Sequence, residues 1–136
     1  MINLSDEICT FAEIYCQRMN IEELRDYCLS LKNATEYMPF EDECLIFRIF
    51  DKWFAMIPLL DPELKISVKC DSAQAVDLRE RYHCVDAAWH FNKKYWNSIS
   101  LNGDMDDETV KYWIRHSVEE VIKKLPKKKQ EEYRLL

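Results

Sequence analysis

The chain has 136 residues, with 19 Lys and Arg against 25 Asp and Glu, a net charge of −6, 48% hydrophobic residues and one Gly. That is the length and apolar content of one folded domain, which argues against disorder, and no apolar run approaches the ~18 residues that cross a bilayer. The single Gly excludes a glycine-rich phosphate loop, and an acidic chain repels nucleic acid unless its basic residues gather locally.

Charge is unevenly divided. Residues 1–68 hold 6 basic and 13 acidic side chains, whereas residues 69–136 hold 13 and 12. Residues 1–7 carry no basic start of a secretory signal, so the expected location is the cytoplasm. No repeat or linker divides the chain, and one domain over 1–136 is expected.

In chain order, Leu4, Ile8, Phe11, Ala12, Tyr15 and Met19 recur at helical spacing behind Ser5. Asn20 with Glu23 forms a capping-box pattern that starts a second helix, whose stripe is Leu24, Tyr27, Cys28 and Leu31. Asn33 suits the left-handed position that ends it. Residues 44–50 and 53–59 are β-rich runs around Asp51-Lys52, which read as a hairpin. Residues 65–70 alternate as a third strand, and Asp71 or Ser72 caps a helix through Ala75, Leu78 and Tyr82. A short run at 87–91, a polar turn at 92–94 and a strand at 96–101 follow. Asp106 or Asp107 caps a last helix carrying Val110, Trp113, Ile114, Ser117, Val118, Val121, Ile122 and Leu125, and Pro126 stops it. The order is α-α-β-β-β-α-β-β-α: an α+β, two-layer domain with an antiparallel sheet of about five strands and helices on one face.

Six cysteines without a CxxC pair read as reduced, mostly buried hydrophobes. His83, Cys84, His90 and Cys70 make a metal site only on paper, so no metal and no cofactor is expected. Without a nucleophile elbow, and with His90 beside aromatics, no catalytic residue is assigned and the chain is read as a non-enzyme.

Several motifs occur together: Cys28-Leu-Ser-Leu31, Pro39-Phe40, Phe54-Ala55, Ser67-Val-Lys-Cys-Asp71, Leu78-Arg79-Glu80 and Leu125-Pro-Lys-Lys128. With Trp89-His-Phe-Asn-Lys-Lys-Tyr-Trp-Asn97, similar to an aromatic-His-Met-Asn-Lys-x-His-Trp-Asn signature, they resemble the MmcQ/YjbR family over residues 20–129. The resemblance implies a fold similar to the CyaY-like and secretion-chaperone-like folds, makes residues 1–19 an added amino-terminal helix, and carries that family's DNA-binding description. The chain departs from the signature at its second His, which is Tyr95 here. Where the family has Gly or Pro-Gly, this chain has Lys32-Asn33, Glu41, Asp51-Lys52 and Ala87-Ala88. Asn33 and Asp51 are the non-glycine residues best suited to keep such turns.

The functional candidate is the segment holding His90, Asn92, Lys93, Lys94, Tyr95 and Trp96. Lysines supply phosphate contacts, Asn92 donates and accepts, and Trp89, Tyr95 or Trp96 offers a ring for stacking. The competing reading makes Trp96 a pin that holds the turn to the core. Lys123-Lys124 and Lys127-Lys128-Lys129 extend a basic patch only if they lie beside that turn. The preferred function is weak, salt-sensitive DNA or other nucleic-acid binding through Asn92–Trp96. The alternative is a non-enzymatic protein-interaction module, including a homodimer; no membrane partner is expected.

Overall fold

A computed structural model of the chain describes residues 18–39, 42–89 and 91–136. The expected first helix therefore lies outside the described residues, save Arg18 and Met19. Arg18 reaches the carbonyls of Met105 at 2.7 Å and Gly103 at 3.2 Å, and the Met19 N–H donates to Asp107 at 2.7 Å. The chain thus enters the fold tied to the loop that precedes the long helix.

Helix α1 (Ile21–Ser30) begins with the anticipated reciprocal cap: the Asn20 side chain accepts the Glu23 N–H and the Glu23 carboxylate accepts the Asn20 N–H. It buries Leu24 and Cys28. Asn33, at φ 62°, then reverses the chain into strand β1 (Ala34–Tyr37). Strands β2 (Cys44–Ile49) and β3 (Lys52–Pro58) form the expected hairpin, but its turn is Phe50-Asp51. Phe50 takes the left-handed conformation at φ 54°, a choice that costs a bulky residue about 1–3 kcal/mol. Its ring is held against the core with the Lys129 ammonium 4.8 Å from its centre.

Strand β4 (Lys65–Lys69), helix α2 (Ser72–Arg81, capped by Asp71), β5 (Val85–Ala87), β6 (Trp96–Ser100) and helix α3 (Asp107–Lys123, capped by Asp106) follow. A further helix, α4 (Lys127–Arg134), comes last. The sheet has six antiparallel strands in the order β1-β2-β3-β4-β6-β5, one more than expected. The addition is β1, an edge strand with three of four residues exposed and therefore no alternation to read. The short run placed at 87–91 is β5 at 85–87, and Pro126 follows the end of α3 as expected but also starts a helix that was not expected. Ala88 does not take a positive φ, so the chain passes that departure from the family pattern without strain.

One face of the sheet carries Leu45, Phe47, Ile49, Phe54, Ile57, Ile66, Val68 and Ile99, and α1, α2 and α3 pack their apolar stripes against it. Ser117 interrupts the stripe of α3 for a reason the register makes plain. Strands β3 and β4 pair Ala55 with Val68 and Met56 with Ser67, so the next rung would join Phe54 to Lys69. An extra residue on β3, at the register shift between Phe47 and Arg48, disturbs the ladder at that point. The Ser117 hydroxyl enters the gap, accepting the Lys69 N–H at 2.8 Å and donating to the Phe54 carbonyl at 2.5 Å.

The register also sorts charge. One end of the sheet holds the β2–β3 turn, the β4-to-α2 junction, the 88–95 loop and the last turn of α3. The opposite end holds the loops at 42–43, 59–64 and 101–106, with Asp42, Glu43, Asp61, Glu63, Asp104 and Asp106. No described helix is long and apolar enough to cross a membrane.

Candidate functional site

The 88–95 loop is built by local turns and then clamped. The Asn92 carbonyl receives the N–H groups of Tyr95 and Trp96, both at 3.0 Å, and its side-chain oxygen receives the Lys94 N–H at 3.1 Å. Asn92 therefore spends its side-chain acceptor on shaping the turn. From α2, the Arg79 guanidinium donates to the Asn97 side-chain oxygen at 2.7 Å and to the Lys93 carbonyl. Asn97, 1% exposed, passes its own amide N–H to the Ala75 carbonyl at 3.1 Å. Two of the motif stretches, Leu78-Arg79-Glu80 and the end of the Trp89–Asn97 signature, are thus halves of one clamp. The Cys70 N–H donates to the Tyr95 carbonyl at 2.6 Å and fixes the loop to β4 as well.

The aromatic residues divide by role. Phe91 stacks on Trp96 at 4.4 Å and meets the edge of Trp53 at 6.1 Å, so Trp96 is half-buried and pins the loop onto the uncovered face of the sheet. Trp89 is 75% exposed, and the Lys93 ammonium lies 3.7 Å from its ring centre. Lys94 lies 5.6 Å from the Tyr95 ring, which is half-buried. Asn92, Lys93 and Lys94 are exposed, as the sequence led one to expect, and His90 lies outside the described residues.

Basic residues from other elements meet this loop. Lys69 pairs in register with Trp96. Burial is the main cause that lowers the Lys69 pKa from its ordinary value. The charge of Lys124 and, more weakly, Lys52 push the same way, while Glu120 and Tyr95 oppose them. Lys52, Lys124 and Tyr95, far apart in sequence, therefore lie within electrostatic reach of Lys69 at one end of the sheet, and Lys94 lies against the Tyr95 ring. Glu120 is the acidic group facing them, shared with His116 at 3.4 Å and Lys123 at 3.6 Å. Lys129 over Phe50 and Lys32 over Tyr133 bring the α4 end of the molecule to the same side. Lys52, Lys69 and Arg79 were not among the anticipated residues. Arg79 and Lys69 lie in the Leu78-Arg79-Glu80 and Ser67-Val-Lys-Cys-Asp71 motifs and Lys52 in the hairpin turn, none of which marked them as site residues.

The described cysteines are spread over both ends of the sheet. The Cys70 N–H donates to the Tyr95 carbonyl at the basic end, whereas the Cys84 carbonyl accepts from the Ser100 N–H at the acidic end. Burial pushes the Cys28 and Cys70 thiols up to about 12 and Cys84 up to about 11, where thiolate is scarce at neutral pH.

The YjbR family model matches residues 29–119. The Escherichia coli K12 protein YjbR is 26% identical over 112 residues, covering 82% of this chain and 95% of that protein. Among solved structures, Deinococcus radiodurans protein DR2400, described as a DUF419 domain, superposes with a TM-score of 0.78 at 28% identity, over 86% of this chain and 89% of that one. A structural-genomics target from Pseudomonas syringae shares the fold with a TM-score of 0.62 at 24% identity, over 73% and 96% of the two chains.

Proposed function

We propose that this chain, which belongs to the YjbR family, binds nucleic acid weakly through the basic end of its sheet, with single strands preferred. The observation that carries the reading is the gathering of Lys52 and Lys124 about Lys69, next to the loop where Lys94 lies against Tyr95 and Lys93 over a Trp89 that is 75% exposed. Clustered ammonium groups repel one another, and a polyanion relieves that repulsion by neutralising several at once. An exposed indole supplies the sequence-tolerant stacking that single strands offer and duplexes withhold. Trp96 is left out of the contact because Phe91 already covers its face.

The test is titration of labelled single- and double-stranded DNA and RNA at two salt concentrations. Affinity should fall with salt, with a slope reduced by about 1 for each phosphate contact removed. Lys93→Glu with Lys94→Glu should abolish binding without unfolding, since exposed tip charges contribute at most ~0.5 kcal/mol to stability. Trp89→Ala should weaken single-strand binding and leave duplex binding nearly unchanged. No binding by the parent at about 50 mM salt, where counterion release favours association, removes the reading.

A further inference from the structure

The uncovered face of the sheet holds a second feature, which runs from the aromatic loop to the acidic end. Cys44 and Ile46 of β2, with Trp53, Met56 and Pro58 of β3, floor an apolar basin of about 600 Å³. Phe91 walls it on the side of the aromatic loop, and Leu60, 73% exposed, stands at its acidic end beside Glu43. That volume falls in the range of sites that bury a ligand or the anchoring side chains of a peptide. None of α1, α2 or α3 reaches this face, because their stripes are spent on the opposite one.

From this we infer that the basin docks a protein segment that is basic and carries apolar anchors. Charge complementarity selects that occupant. Glu43 lines the basin, Asp42 precedes it, and no described ion pair engages either carboxylate. Neighbouring Asp61 and Glu63 already share Lys65, which leaves Glu43 and Asp42 as the charges available to a partner. The basin floor offers Met56 and the edge of Trp53, side chains that accommodate irregular apolar anchors. A segment such as residues 1–17 of this chain fits less well, since its charges are Asp6, Glu7 and Glu13. The inference does not depend on nucleic-acid binding: the two surfaces adjoin at Phe91 and Trp53 but use different charged residues.

The probes are short amphipathic peptides on the full chain: one of Leu and Lys, one with the same Leu face over Glu, and one with every Leu replaced by Ser. Trp53 fluorescence and calorimetry read the binding. The Leu–Lys peptide should bind and the other two should not. Glu43→Lys should weaken it about tenfold or more, and Met56→Lys should abolish it. Glu108→Lys makes the same charge change on the helix-covered side of the acidic end and should leave affinity within about twofold. Equal binding of the Leu–Glu peptide, or equal effects of Glu43→Lys and Glu108→Lys, would overturn the proposal. So would a dimer of the chain, seen by sedimentation and dispersed by Met56→Lys, because the occupant would then be a second copy. Glu43 is exposed and on a loop, so its variant keeps the test valid should Met56→Lys unfold.

Discussion

Ser117→Ala is the perturbation that reads the fold most directly. The substitution removes one oxygen from a site 0% exposed and leaves the Lys69 N–H and the Phe54 carbonyl without the hydroxyl that joins them. Each backbone group left unpaired in a buried place costs about 1–3 kcal/mol, so the pair should cost about 2–6 kcal/mol. Against a total stability of roughly 5–15 kcal/mol that is a large fraction. Urea unfolding, followed by circular dichroism and tryptophan fluorescence, should show the midpoint lowered by about 1–2 M with an unchanged slope. Ser117→Thr keeps the hydroxyl and should recover most of the loss. The competing outcome is closure of the gap, with Lys69 donating straight to Phe54 as an ordinary rung. A loss below ~0.5 kcal/mol with the Lys69 amide still protected from exchange would establish that closure and refute the account of Ser117 as a bridge.

Three further outcomes follow from local geometry. A Cβ on Gly103 would lie 2.1 Å from the Cys84 Cβ, so Gly103→Ala must displace backbone, and a thermal melt should register a loss of about 1–3 kcal/mol. Arg79→Ala strips the buried Asn97 oxygen of its donor and should cost a similar amount while speeding amide exchange across residues 92–96; Arg79→Lys should not restore the two-pronged clamp. The Asp104 carboxyl is held down at about 2, against an ordinary 3.8, chiefly by the His83 N–H, then by the Cys84 N–H. Its stabilisation is complete above pH 3.8 and is lost as pH falls toward 2, so the stability gap between parent and Asp104→Asn should close across that window in urea melts.

Features set by neighbouring residues were legible in the sequence. The Asn20–Glu23 cap, the reversal at Asn33 and the stripe from Val110 to Leu125 each depend on contacts within a few positions, and each occurs where the residues put it. What failed depends on distant partners. Strand β1 exists because β2 offers its edge, and its own four residues carry no strand pattern. Phe50 takes a conformation that suits Asn or Gly while its ring packs on the core, so the left-handed residue of the turn is Phe50 and not Asp51. Pro126 fits the start of a helix as well as the end of one, and the Lys129–Glu132 pair that supports α4 was the available clue. For the candidate site, the Asn92–Trp96 turn was legible, but Lys52 and Lys69 are brought toward it by strand register and Lys124 by the packing of α3 on the sheet.

That same register changes what the net charge of −6 means. A sum over the chain treats every carboxylate as if it faced the same ligand. Here the five residues of β4 separate the loop holding Asp61 and Glu63 from Lys69, a span of roughly 16 Å at about 3.3 Å per residue. The Debye length near physiological salt is about 8–10 Å, so a phosphate at the lysine end is largely screened from the acidic end. Lys65 neutralises part of that end besides, through Asp61 at 3.3 Å. An anionic strand therefore meets chiefly the charges of its own end, where Lys52, Lys69, Lys93, Lys94 and Lys124 outnumber Asp51, Asp71 and Glu120. Lowering the salt lengthens the screening distance and lets the acidic end be felt, so nucleic-acid affinity should rise less steeply below about 20 mM salt than counterion release alone requires. A log–log plot that stays straight to the lowest salt would mean that the two ends do not communicate through solvent.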